Sequence, residues 1–300
     1  MATGANSLPK SAEIRPRRLP RWVFRLRQSP VGLIGVAIIV CVVLIAILAP
    51  VISPHDPTRL QLGKRLLPPF WIAGSDPAYL LGTDQLGRDM LSRLIWGSRI
   101  SVVVGISAVA IAAVIGVTLG LISGFFGGWT DTLISRGIDS FMSIPFIVLA
   151  LAVVSMLSPN LLNLIIVLGI TGWVSFARVV RGEVLTTRTR EYVTAAQAVG
   201  QRNRWILTRH ILPNVTGSII VLATLDVGVA IIAESSLSFL GLGVQPPTVT
   251  WGLMLADGRE HIATSWWLAA FPGIAITITV LGIIFLGDWL RDVLDPRRKK

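Results

Sequence analysis

Charge is scarce in this sequence. Only 14% of its 300 residues are Asp, Glu, Lys or Arg, against roughly 25% in an ordinary soluble domain. Cysteine is nearly absent as well: the single Cys41 can close no intrachain disulfide, and its place inside an apolar run reads as a small buried hydrophobe. The three histidines, His55, His210 and His261, fall in separate segments without ligand spacing, so no metal site is expected. A phosphate-binding loop is missing too. The one Gly-Lys pair, Gly63-Lys64, is followed by Arg65 where that loop needs Ser or Thr. The chain is therefore not expected to hydrolyse ATP, and no Ser-His-Asp or Cys-His arrangement marks a catalytic residue. A soluble enzyme is excluded.

What the sequence has instead is apolar length. Hydrophobic residues make up 53% of it, gathered into runs long enough to cross a hydrocarbon core of about 30 Å. The first, Val31 to Ile52, exceeds a secretory h-region and reads as an uncleaved span that reaches about 33 Å as a helix. A second runs from Ile100 to Thr130 and carries Gly116, Gly120, Gly124 and Gly128 at every fourth position, one helix face on which a neighbour can pack closely. The third, Ser140 to Ala177, is too long for one helix. Ser158-Pro159-Asn160 breaks it into a hairpin of two spans. Asn214 to Ala233 gives a fifth span and Trp266 to Gly287 a sixth, with Trp266 and Trp267 expected as interfacial anchors. The expected fold is an all-α integral membrane protein of six transmembrane helices.

The net charge of +11 does not point to nucleic acid, because the basic residues lie between the apolar runs, at membrane edges. Of the 27 Lys and Arg, twenty fall in residues 1–28, 127–140, 178–213 and 288–300, and seven in 53–99 and 234–265. Cytoplasmic segments carry the excess, so both termini are expected in the cytoplasm, although six basic residues in 53–99 blur the contrast. The expected division is a basic tail at 1–28, a first helix with an external loop at 29–99, a five-helix core at 100–287 with a cytoplasmic loop at 178–213, and a cytoplasmic tail at 288–300. Asn214-Val215-Thr216 matches a glycosylation sequon, but on this topology it faces the cytoplasm.

Two acidic residues fall within or beside the fifth span. Asp226 is the one ionised side chain expected deep in the membrane, where it costs about 2.5–3.5 kcal/mol and should face protein or a water-filled path. Glu234 is expected at the outer end of the same span, in the interface. Both are candidate pathway residues. A proton-coupled carrier normally needs relays of such groups, which one aspartate supports thinly. An uphill transporter without its own energy source must borrow one, and that directs attention to the loop at 178–213.

In that loop Glu191 to Gly200 is a short helix-prone segment, with Glu191 where the helix dipole favours an anion and Gly200 suited to the stop. Ala195 and Ala196 give it a low-profile surface that a partner could grip. A second helical stretch, Trp205 to Leu212, leads through Pro213 into the fifth span.

This loop resembles that of the permease family of ABC importers, which carries an E-A-A, three residues, G, nine residues, I-x-L-P motif. Thr194-Ala195-Ala196, Gly200 and Leu212-Pro213 keep the family spacing, while Thr194 replaces the usual Glu and His210 the usual Ile. Two more stretches resemble the dipeptide, oligopeptide and nickel branch: LGTDQLGRDMLSRLIWGSRIS, Leu81 to Ser101, and LSFLGLGVQPPTVTWGLML, Leu237 to Leu255, with Leu294-Asp295-Pro296-Arg297 at the end. The resemblance implies a type I ABC importer fold and a complex. Its expected partners are a homologous second permease subunit, two ATP-binding subunits, an extracellular or periplasmic substrate-binding protein and the lipid bilayer. No cofactor is expected on this chain, with ATP and magnesium on the partner subunits. The implied coupling residues are Glu191, Thr194, Ala195, Ala196, Gly200, His210, Leu212 and Pro213. The implied cargo is a di- or oligopeptide, moved by alternating access across a bacterial cytoplasmic membrane. A passive channel or proton-coupled carrier is the alternative, and a membrane scaffold without transport a third.

Overall fold

A computed structural model describes Leu26 and residues 29–294. The basic tail at 1–28 therefore lies, apart from Leu26, outside the described residues, and so does Asp295-Pro296-Arg297. Among the described residues the structure is helical, and the one β feature is an isolated bridge between Thr83 and Asp89.

Helix α1, Pro30–Ile52, starts where Ser29 caps it, accepting from the Gly32 amide at 3.2 Å, with Pro30 at the first helical position. Its small residues set its place. A Cβ on Gly35 would stand 2.6 Å from the Leu286 nitrogen of the last helix, and one on Gly32 2.7 Å from the Trp289 ring. The rest of α1 is mostly bare, as a lipid-facing helix should be. Cys41 shares that exposure and is not the buried hydrophobe expected from its apolar neighbours. An apolar run does not distinguish lipid from core.

Helix α2, Met90–Phe126, begins ten residues earlier than the apolar run at Ile100, because Asp89 caps it by accepting from the Ser92 amide at 2.9 Å. Its 37 residues reach about 55 Å, well beyond the hydrocarbon core. Gly127, at φ +67°, ends it.

The third span departs from expectation at its start. Residues 127–140, expected as a loop, form most of helix α3, Gly128–Met142, which turns by 85° into α4, Phe146–Ser155. Pro145 makes the bend, since it supplies no amide hydrogen and keeps Ile144 out of the helical region. The hairpin then turns where Ser158-Pro159-Asn160 predicts, and Asn160 caps α5, Leu161–Thr187, through the Asn163 amide at 2.8 Å.

Two short helices follow, α6 at Glu191–Ala198 and α7 at Asn203–Ile206. A π-helical turn, Leu207–Ile211, joins α7 to α8, Leu212–Phe239. The widened turn accommodates Pro213, whose ring an α-helical register would press against the carbonyl four residues back. Asn214 Nδ2 donates to the His210 carbonyl at 2.7 Å. Asn203 to Phe239 is thus one helical run. Helix α9, Trp251–Arg259, and α10, Trp267–Leu294, complete the chain. Trp266 is exposed as an anchor should be, but Trp267 is buried with Met90, Trp251, Met254 and Leu268. Among the described residues five helices are long and apolar enough to cross a membrane, and six spans result where the bent α3–α4 pair counts as one.

Candidate functional site

The α2–α5 pair forms the middle of the molecule, and glycine sets its spacing. A Cβ on Gly120 would lie 2.7 Å from the Ala177 carbonyl oxygen, one on Gly124 would meet Val184 at 2.7 Å, and Gly116 sits against the backbone of Trp173 and Ala177. Three of the four predicted glycines therefore pack as a close-approach face. Gly128 does not: it lies past the end of α2 at φ +54°, and nothing stands within 4 Å of it.

Beside this pair a cavity of about 440 Å³ opens between α2, the α3–α4 elbow, α5 and α8. Phe141, Met142, Pro145 and Phe146 of the elbow supply its apolar wall. Among the described residues, Asp226 on α8 is the only ionisable one lining it. Its polar companions are Thr171 and Ser175, and the Thr171 hydroxyl already donates to the Val167 carbonyl at 2.7 Å. Glu234 is placed differently. Helix α8 runs on to Phe239, so Glu234 is not at an interfacial helix end; it is 0% exposed, accepts from Ser238 Oγ at 2.8 Å and does not line this cavity. The apolar run stops at Ala233, but the helix continues through Ser235, Ser236 and Ser238, whose hydroxyls are satisfied within it, Ser236 on the Ile232 carbonyl at 2.8 Å and Ser238 on Glu234.

The loop segment has an inner and an outer face. Val193 and Ala196 of α6 are buried in a cluster with Phe125, Val184, Ile206, Ile211 and Val215. Glu191, Thr194, Ala195 and Val199 are exposed, Val199 at 83%, and Trp205 at 56% stands next to them in sequence. Ala195 and Ala196 therefore do not share a surface: successive helix residues point about 100° apart, and only Ala195 is available to a partner. Gly200 has φ +80°; its amide donates to the Gln197 carbonyl at 2.9 Å and the Gln201 amide to the Ala196 carbonyl at 3.1 Å, a Schellman stop. His210 Nε2 lies 3.1 Å from Gln201 Oε1, which ties the π turn to the residue after that stop, and Leu212 and Pro213 begin α8.

Sequence reasoning gave no role to a cluster at the other end of α2. Arg93, 1% exposed, pairs with Asp84 and reaches Asp257 Oδ2 on α9 at 3.2 Å. Arg88 Nε meets Asp84 Oδ2 at 2.6 Å, and Asp84 Oδ1 accepts the amides of Leu86 and Arg88 at 2.8 and 2.9 Å. Trp251 Nε1 donates to the Leu94 carbonyl at 2.9 Å. Asp84, Arg88 and Arg93 at spacings of four and five were the available signal, but the distant Asp257 was not. At the opposite end Arg181 makes a bidentate pair with Asp131, at 2.6 and 2.8 Å, and Arg188 donates to the Gly124 carbonyl at 2.9 Å.

A helical membrane permease is the class this architecture defines. Its fold is that of a type I ABC importer subunit: the methionine transporter MetNI, in inward-facing conformations, superposes with a TM-score of 0.57 over 69% of this chain and 98% of that one, at 20% identity. Residues 116–300 match the model of the binding-protein-dependent transport system inner membrane component, and 21–69 that of the N-terminal TM domain of oligopeptide transport permease C. The chain belongs to the family of binding-protein-dependent transport system inner membrane components, the non-enzymatic membrane part of ABC importers. It is similar to the di/tripeptide transport system permease protein DppC of Pseudomonas aeruginosa, 42% identical over 88% of each chain. The dipeptide permease protein DppC of Haemophilus influenzae is 42% identical over 94% of this chain and 96% of its own. The oligopeptide permease protein OppC of Bacillus subtilis is 39% identical over 96% and 93%.

Proposed function

We propose that this chain is one permease subunit of an ATP-driven importer that carries di- or oligopeptides across a bacterial cytoplasmic membrane. The observation that carries the reading is the two-faced segment at Glu191–Gly200, which is anchored by Val193 and Ala196 and presents Ala195 and Val199 outward. A bare apolar patch on a charged loop is what a close-fitting partner covers. The names of relatives about 40% identical along the chain support peptides as cargo.

On this reading the chain pairs with a homologous second permease, two ATP-binding subunits and an extracellular or periplasmic binding protein. ATP and magnesium bind on the ATP-binding subunits. Their closure moves α6, the π turn at Leu207–Ile211 carries the movement into α8, and the cavity beside Asp226 changes its access. The basic-residue distribution supports a cytoplasmic side for both termini and residues 178–213.

Uptake of a labelled dipeptide into proteoliposomes tests the reading. The full complex with its binding protein is expected to take up peptide only with ATP, and the purified chain alone to hydrolyse none. Uptake driven by a proton gradient without ATP would replace it with the carrier reading. Impermeant labelling on a Cys41→Ser background tests the orientation: a cysteine at position 198 should stay unlabelled in intact cells, and one at position 64 should react.

A further inference from the structure

The cavity beside α8 has a chemical imbalance. Asp226 is its one charge, and no hydrogen bond or ion pair of that side chain occurs among the described residues. No basic side chain lines the wall. The Thr171 hydroxyl is engaged within its own helix, Ser175 adds one more hydroxyl, and the rest of the surface is apolar, from Phe141, Met142 and Phe146 on one side to Val229 and Ala230 on the other. A carboxylate kept at membrane depth without a counter-ion carries a standing desolvation cost. Such a residue at membrane depth points to a functional site, and its natural visitor is a cation.

The wall constrains which cation. Hard metal ions take six or more oxygen ligands, and Asp226 with Ser175 and Thr171 falls short of that. An ammonium group needs three acceptors at most and tolerates apolar surface around its stem. Peptides of any sequence share one such group, the protonated α-amine, while their side chains differ. A site with one carboxylate, two hydroxyls and a mostly apolar wall fits that shared feature and does not select among the variable ones.

We infer that Asp226 receives the α-ammonium group of the transported peptide as it passes the α3–α4 elbow, which makes it a specificity-determining residue of the pathway. The inference rests on the reading that the cargo is a peptide. A fixed cation on the second permease is the competing occupant, and the two differ in what removal of the charge does to the assembled complex. With a passing ammonium, the resting complex holds an unpaired carboxylate and does not miss it. With a fixed cation, loss of the carboxylate strands the partner's buried charge and weakens the assembly.

The test uses the full complex with its binding protein in proteoliposomes, and compares wild type, Asp226→Asn and Asp226→Glu. Asparagine keeps shape and polarity and removes only the charge. Asp226→Asn is expected to lower dipeptide uptake at least about tenfold, the loss of one charge-assisted hydrogen bond. Asp226→Glu should restore most of it. The thermal midpoint of the assembled complex and its binding-protein-stimulated ATPase should stay at or above wild type. Wild-type uptake by Asp226→Asn overturns the inference, as does a loss of uptake accompanied by a lower thermal midpoint or poorer assembly. Failure of the wild-type complex to move any peptide would instead remove the functional reading on which this one stands.

Discussion

At the Met90 end of α2, Arg93 and Asp84 are sealed from solvent and tied to Arg88 and Asp257, and Trp251 is bonded to the Leu94 carbonyl. At the Phe126 end, the α6 segment is held by Val193 and Ala196 over a small apolar cluster and shows the rest of its surface to solvent. A buried ion network holds one geometry, because separating its members leaves an uncompensated charge in a low-dielectric site. Apolar contacts have no preferred direction, so a short helix held mainly by them can shift against its neighbours while Gln201 stays bonded to His210. The first end is suited to holding helices α2 and α9 in fixed relation, and the second to passing on a displacement. Arg88 and Arg93 are neutralised in the network, and Lys64 pairs with Asp76 at 2.9 Å.

The largest effect should come from breaking the network. Asp84→Asn leaves Arg93 and Arg88 sharing only Asp257, and removal of one partner from such a cluster costs about 3–5 kcal/mol. The expected result is a large drop in the thermal midpoint and in the yield of inserted complex. An unchanged midpoint would show that the two ends are held alike.

Between the ends, the glycine face sets the distance from α2 to α5. Gly120→Leu would drive a side chain into the Ala177 carbonyl, and overpacking of this kind costs about 1–3 kcal/mol. Gly182 on α5 has nothing within 4 Å of an added Cβ, so Gly182→Ala should be neutral or stabilising by about 0.5–1 kcal/mol. Thermal unfolding of the two variants side by side checks this, and equal midpoints would dissolve the packing assignment.

The coupling segment splits in the same way. Ala196→Arg pushes a charge into the cluster of Val193, Ile206 and Ile211 and should unfold α6 locally, with faster amide exchange across Glu191–Gly200. Ala195→Arg should leave exchange unchanged and abolish capture of the ATP-binding subunits. If both variants behave alike in both measurements, α6 does not have separate anchoring and docking faces.

Much of this was legible in the residues. The apolar runs gave the spans, Ser158-Pro159-Asn160 the hairpin turn, and the four-residue glycine spacing a close-packing face on α2, though not that α5 is the helix packed on it. Helix ends were less legible, because hydropathy does not mark them: α2 starts at the Asp89 cap and not at the apolar run, and α8 continues through three serines beyond its run. Which of Ala195 and Ala196 faces inward, and that Asp257 meets Arg93, depend on helix phase and long-range packing. No local spacing encodes either.

The smallest expected effect isolates backbone geometry from everything else. Gly200 closes α6 at φ +80°, and no atom lies within 4 Å of a Cβ added there. Gly200→Ala therefore meets no steric neighbour and costs only the left-handed conformation of an L-residue, about 1–2 kcal/mol. Gly200→Asn should cost less, since asparagine visits that region with local hydrogen bonding. The Schellman bonds from Gly200 to Gln197 and from Gln201 to Ala196 should weaken in that order of variants, read as faster exchange of the two amides. His210 is bonded to Gln201, so the same variants should lower ATP-dependent uptake in the same rank order, by a few-fold for Ala and less for Asn. If amide exchange rises in both variants and uptake does not change, the stop at Gly200 shapes α6 without taking part in the path from α6 to α8.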